Sequence, residues 1–214
     1  MGKKYKLLGF YNYTVIITYI GMIFGFIGVY FAIKENFQAA LFCLMFSGLC
    51  DMFDGAVANT LERTRDARDF GIQIDSASDL ICFGVLPATI VMQYTSSCPI
   101  ISFIIPCLYL LTALIRLSWF NVDELKRQRE CQNPREKLLG MPVTISALLI
   151  PILIQVSSFF ASFKIFICLG IMFLMSLAFL IPVQLSKPKM LTKILFILVG
   201  IAELILIING AFLQ

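Results

Sequence analysis

At 214 residues, with 59% hydrophobic and only 14% charged side chains, the chain is far more apolar than a soluble domain, which is about 25% charged, and its mean hydropathy of +0.90 is that of an integral membrane protein. The net charge of +4 is modest and the basic residues fall between apolar runs, which excludes a nucleic-acid-binding face. With no histidine, and with 7 cysteines that form no CxxC pair, a Cys/His metal site, a histidine general base and a Ser-His-Asp triad are excluded, and any metal is expected on oxygen ligands.

A helix rises about 1.5 Å per residue, so roughly 20 apolar residues cross a hydrocarbon core about 30 Å thick. Runs of that kind predict spans near 10–33, 37–59, 71–95, 98–121, 141–159, 161–182 and 190–212. The expected fold is an all-α polytopic bundle of about seven transmembrane helices, with six to eight compatible with the broken runs after 141. No linker rich in Pro, Gly or Ser divides the chain, so residues 1–214 are read as one membrane domain.

The first run follows Lys3, Lys4 and Lys6 and opens on Asn12 and Thr14. It is longer than a signal-peptide core and lacks a small-x-small cleavage site, so it is expected to be retained. The second run ends with Asp51, Asp54, Gly55 and Ala58, and the third begins with Gly71, Asp75 and Asp79. Glu62, Asp66 and three arginines, Arg63, Arg65 and Arg68, lie between them as a solvated connection, with Asp69 read as a cap of the third helix. The fourth run holds Arg116 inside "LLTALIRLSWF" and leads into Asn121 and a basic tail, Lys126 to Lys137. A further basic cluster, Lys187, Lys189 and Lys193, precedes or opens the last run.

Of the 17 Lys and Arg, only Lys34 and Lys164 fall in the alternate loops and only Arg116 inside a span. That asymmetry predicts a cytoplasmic N-terminus, with the cell membrane as the expected location.

Asp51, Asp54, Gly55 and Ala58 are spaced i, i+3, i+4, i+7, and Gly71, Asp75 and Asp79 are spaced i, i+4, i+8, so each set occupies one helical face. A short polar connection can turn the two faces toward one another. Ionised carboxylates beside hydrocarbon cost several kcal/mol by most estimates, and no lysine stands in register to neutralise them. One or two divalent cations are the economical solution. Mg²⁺ and Mn²⁺ take carboxylate oxygens, and phosphate oxygens of a diphosphate substrate can complete the shell. Gly55, Ala58 and Gly71 remove bulk beside these ligands, which serves either close helix packing or room for a nucleotide.

The pattern resembles the signature of the CDP-alcohol phosphatidyltransferase family, D-x₂-D-G-x₂-A-R followed by G-x₃-D-x₃-D, with Asn59 where that signature carries Arg. The stretches "FGIQIDSASDLICFGVLPA" and "RLSWFNVDELKRQRE" followed by "GMPVT" are similar to the branch of that family that uses serine. The resemblance covers most of residues 10–145. It implies an enzyme that transfers the phosphatidyl group of CDP-diacylglycerol to L-serine, releasing CMP. It also implies a homodimer. Asp51, Asp54, Asp75 and Asp79 would hold two divalent cations, Asp79 would act as base, and Asn12, Thr14, Asp51, Gly55, Ala58 and Gly71 would surround CDP. Ser76, Arg116 and Asn121 are candidates for the acceptor or a phosphate; Arg116 can equally extend toward the interface.

Other acceptors, namely glycerol phosphate, inositol or inositol phosphate, and an ether-lipid donor, are alternatives within the same family. A cation- or proton-coupled transporter is the alternative from another class, but it predicts ionisable groups spread through the bilayer depth, whereas here they collect at the expected cytoplasmic edge of two adjacent spans and only Glu203 stands deep in a distal helix. Glu203 is expected to serve a structural hydrogen bond or an oligomer contact.

Overall fold

The computed structural model describes residues 9–11, 13–58, 64–130, 137–186 and 190–208. The apolar runs fold into α1 (Tyr13–Ile33), α2 (Phe37–Ala58), α3 (Arg65–Asp79), α4 (Leu86–Tyr94), α5 (Pro99–Glu130), α6 (Ser146–Phe159), α7 (Lys164–Leu180) and α8 (Met190–Ile208). A π-helical stretch, Leu80–Val85, joins α3 to α4 without a break. The stretches Val15–Ile33, Phe37–Asp54, Arg65–Tyr94 and Pro99–Arg127 are each long and apolar enough to cross a membrane, and Val143–Phe159, Lys164–Leu180 and Leu198–Ile207 are shorter apolar helices. Each apolar run in the sequence thus corresponds to one helical column.

Two boundaries differ from the hydropathy reading. The third column starts at Arg65, where Thr64 in extended conformation accepts the Ala67 N–H at 3.4 Å and Asp66 sits in the first turn, favourably placed for the helix dipole. Asp69 therefore lies within α3 and does not cap it. The fourth column continues to Glu130 because its polar tail is made of good helix formers and carries a Glu124–Arg127 ion pair at i, i+3.

A short ribbon was not legible in the sequence. β1 (Lys137–Leu139) pairs antiparallel with β2 (Gln184–Ser186), Leu138 facing Leu185. Strands this short carry no readable alternation. Gly140 closes the ribbon by donating its N–H to Val183 O at 2.7 Å, and its φ of +74° is a left-handed conformation natural to glycine.

α1 packs most extensively on α2 and also touches α3, the π stretch and α4. Its inner face carries small residues at i, i+4, i+7, i+11: Gly21, Gly25, Gly28 and Ala32. A Cβ on Gly25 would lie 2.6 Å from Cys82 Sγ, and one on Gly28 would lie 2.9 Å from Cys43 Cβ. The backbone of α1 therefore seats directly between α2 and the α3–α4 column, the small-residue packing by which membrane helices approach closely. The outer face of α1 exposes Ile16, Ile20, Ile23 and Ile27, an apolar stripe suited to lipid.

The π stretch has a local cause. In an α-helix the Phe83 carbonyl would accept from residue 87, and that residue is Pro87, which has no N–H. The chain widens instead, with Leu86 N–H donating to Ile81 O, and the Phe83 oxygen is taken by the Tyr109 hydroxyl at 2.6 Å and the Ser146 hydroxyl at 3.3 Å. Phe83 and Tyr109 are fully buried with Leu86, Ile90, Ile150 and Phe179, so this polar knot sits in the core of the bundle.

Candidate metal centre

α2 brings Asp51 and Asp54 to its final turns, and α3, returning across the bundle, brings Asp75 against them. One carboxylate oxygen from each of Asp51, Asp54 and Asp75 lies within 4.8 Å of the other two. Oxygens bound to one Mg²⁺ at about 2.0–2.1 Å are roughly 3–4 Å apart, so the three side chains are within reach of one ion. All three are partly buried. Three hard oxygen donors converging at a helix interface repel each other strongly without a cation, and the donor set fits a divalent metal of the Mg²⁺ or Mn²⁺ type.

Asp79 stands one turn beyond Asp75, outside that group of three. It lines a recess shared with Asp51, Asp54, Thr18, Ser47 and Ser78. Gly71 is one turn before Asp75 on the same face of α3. The backbone of Thr14 lies in α1 and that of Gly55 and Ala58 in α2, and the surroundings of these three residues are outside what the structure describes. Asn12 and Asn59 also lie outside the described residues.

Ser76 and Asn121 come together: the Ser76 hydroxyl donates to Asn121 Oδ1 at 2.5 Å, and Asn121 Nδ2 donates to Gln73 Oε1 at 3.3 Å. These bonds tie α3 to α5 beside the aspartates. Arg116 does not join them. It precedes Asn121 by five residues, about 140° around the helix, and it is buried at 7% exposure. Its guanidinium carbon lies 6.0 Å from the Trp119 ring centroid and 5.6 Å from that of Phe120. Extension of Arg116 into the interface is therefore not what this chain does. The side chain is enclosed, and a Cβ on Gly140 would come within 3.2 Å of its Nε, so the ribbon turn packs directly on it.

Several polar residues of the site were not singled out by sequence reasoning. Thr18 Oγ1 donates to Asp54 Oδ2 at 3.2 Å, Ser78 Oγ donates to Thr18 O at 3.4 Å, and Ser47 Oγ donates to Gly21 O at 2.9 Å. Thr18 belongs to the same α1 face as Gly21, Gly25 and Gly28, and that spacing was the available signal.

The CDP-alcohol phosphatidyltransferase family model matches residues 11–212. The chain is 26% identical over 155 residues to the archaetidylserine synthase of Methanothermobacter thermautotrophicus, covering 72% of this chain and 60% of that protein. It is 28% identical over 146 residues to the CDP-diacylglycerol–serine O-phosphatidyltransferase of Bacillus subtilis, covering 66% and 75%. To the Saccharomyces cerevisiae protein of the same description it is 30% identical over 148 residues, covering 61% and 51%. The chain thus spans between about half and three quarters of the length of these relatives. No solved structure matches it.

Proposed function

This chain belongs to the CDP-alcohol phosphatidyltransferase family, and we propose that it transfers the phosphatidyl group of CDP-diacylglycerol to L-serine, giving phosphatidylserine and CMP. The observation that carries the reading is the convergence of Asp51, Asp54 and Asp75 from two helices within 4.8 Å. The choice of serine is supported by the relatives, whose descriptions share serine while differing in the lipid, archaetidyl in one and diacylglycerol in the others.

In this reading Asp51, Asp54 and Asp75 hold the first of two divalent cations, Mg²⁺ or Mn²⁺, and Asp79 completes the second. Bound metal offsets charge on the diphosphate and on departing CMP. Gly55, Ala58 and Gly71 leave space for the cytidine and ribose, with Asn12 and Thr14 near the nucleotide. Ser76 and Asn121 serve the acceptor side, while Arg116, set apart from them on α5, offers its guanidinium as a bidentate fork to the serine carboxylate or a phosphate.

Asp79 takes the proton of the serine hydroxyl as its oxygen attacks phosphorus. The new O–P bond forms while the bond from that phosphorus to the CMP oxygen breaks, and CMP leaves with the electron pair. A carboxylate is a weak base toward an alcohol, so proton transfer must be concerted with attack and depends on position. No covalent lipid intermediate on the protein is required, so direct attack with inversion of configuration at phosphorus is the expected course.

The N-terminus and the site belong on the cytoplasmic side of the cell membrane, supported by the distribution of lysine and arginine, and the working form is a homodimer. The deciding experiment incubates purified protein with CDP-diacylglycerol, Mg²⁺ or Mn²⁺, and in turn serine, glycerol phosphate, inositol and inositol phosphate, measuring CMP and lipid product. CMP release and phosphatidylserine formation with serine alone are expected. Release with another acceptor, or with none of them, overturns the assignment.

A further inference from the structure

α1 contributes no carboxylate to the aspartate cluster, yet it is bonded to both helices that do. Thr18, at 8% exposure, donates its hydroxyl to Asp54 Oδ2 at 3.2 Å. Its own carbonyl accepts from Ser78, the residue immediately before Asp79, at 3.4 Å. One turn on, the Gly21 carbonyl accepts from Ser47 of α2 at 2.9 Å and from Cys82 Sγ of the π stretch at 3.4 Å. The absence of side chains on Gly21 and Gly25 brings α1 close enough for all of these contacts, since a Cβ on Gly21 would lie 3.1 Å from Cys50 Cβ.

We infer that Thr18 is a positioning residue for the metal centre, holding Asp54 through its hydroxyl so that the carboxylate is pre-set for a divalent cation shared with Asp51 and Asp75. The inference rests on the reading of those aspartates as a cation site. An ionised carboxylate has roughly four lone-pair directions, and the Thr18 hydroxyl occupies one of them. A threonine in a helix is largely confined to two χ1 rotamers, so the donor has few other positions to adopt. Without it, Asp54 loses one of the contacts that hold its carboxylate against the repulsion of Asp51 and Asp75. Such outer contacts typically set metal affinity by about 10–100-fold.

The test is equilibrium Mn²⁺ binding to the purified full chain in detergent, read from the electron paramagnetic resonance signal of free Mn²⁺. Thr18→Val keeps the shape and removes the donor; it is expected to weaken Mn²⁺ binding by about tenfold or more, and Thr18→Ser to restore it. Raised Mn²⁺ should recover turnover in Thr18→Val, a rescue that a packing defect does not give. Thr18→Ala, which removes the hydroxyl without placing a methyl against the carboxylate, is held to the same expectation and stands in if Thr18→Val does not fold. Wild-type affinity in either folded variant overturns the inference. A different result, wild-type protein with no Mn²⁺ binding that Asp75→Asn abolishes, overturns the cation reading of the cluster itself.

Discussion

The Tyr109 hydroxyl of α5 donates to the Phe83 carbonyl of the π stretch at 2.6 Å, in the core of the bundle. This bond exists because Pro87 cannot supply the N–H that an α-helix would direct to that oxygen. Four residues before Phe83 lies Asp79, so the contact that repairs the helix also fixes the phase of the turn that carries the acidic face.

Tyr109→Phe leaves the Phe83 oxygen with the longer Ser146 bond alone. A buried group that loses its partner costs about 1–3 kcal/mol, and the lower end is expected because Ser146 remains. Tyr109→Phe should lower the thermal unfolding midpoint in a given detergent, Ser146→Ala should lower it less, and the double variant should lose more than the sum of the two. Strict additivity would show that the two hydroxyls do not share this carbonyl.

Chelation should abolish CMP release, and added Mg²⁺ or Mn²⁺ should restore it. Asp75→Asn should remove both metal binding and turnover. Asp79→Asn should retain Mn²⁺ at the group formed by Asp51, Asp54 and Asp75 while lowering kcat by about 10²–10⁴-fold, the usual contribution of a general base. Activity that survives thorough chelation contradicts the proposed chemistry.

Arg116→Ala should raise KM for serine by roughly 10–100-fold, the equivalent of one charge-assisted hydrogen bond of about 1.5–3 kcal/mol, with a smaller change in KM for CDP-diacylglycerol. Equal losses toward both substrates would assign Arg116 to a phosphate or to packing against Gly140. Kinetics with each substrate varied in turn separate these outcomes.

Gly25→Ala forces a methyl to within 2.6 Å of Cys82 Sγ and 3.2 Å of Cys82 Cα. Overpacking of this kind costs about 1–3 kcal/mol. Cys82→Ala in the same chain removes the sulfur but not the backbone clash, so thermal stability should recover in part. Full recovery would mean that the helices move apart more easily than the contact implies.

Much of this architecture is legible in the sequence. Hydropathy located the columns because a membrane demands long apolar runs, and the i, i+3 and i, i+4 spacings placed Asp51 with Asp54 and Asp75 with Asp79, because side chains on a helix repeat every 3.6 residues. Other features escaped for physical reasons. Arg65 and Asp66 looked like loop because their charge hides a helix start that Thr64 supplies. The π stretch follows from an absent N–H at Pro87 together with partners on α5 and at the start of α6, and no local pattern reports residues that distant. The surroundings of Arg116 depend on the turn at Gly140, which packs against it from a distant part of the chain.

The wide turn between Asp79 and Pro87 also sets where the acidic face points. A π turn holds more residues than an α turn, so Leu80–Val85 takes up one extra residue that would otherwise swing everything before it by about 100°. The face carrying Asp75 and Asp79 thereby stays directed at α2, although the column is one residue longer than a regular helix would need.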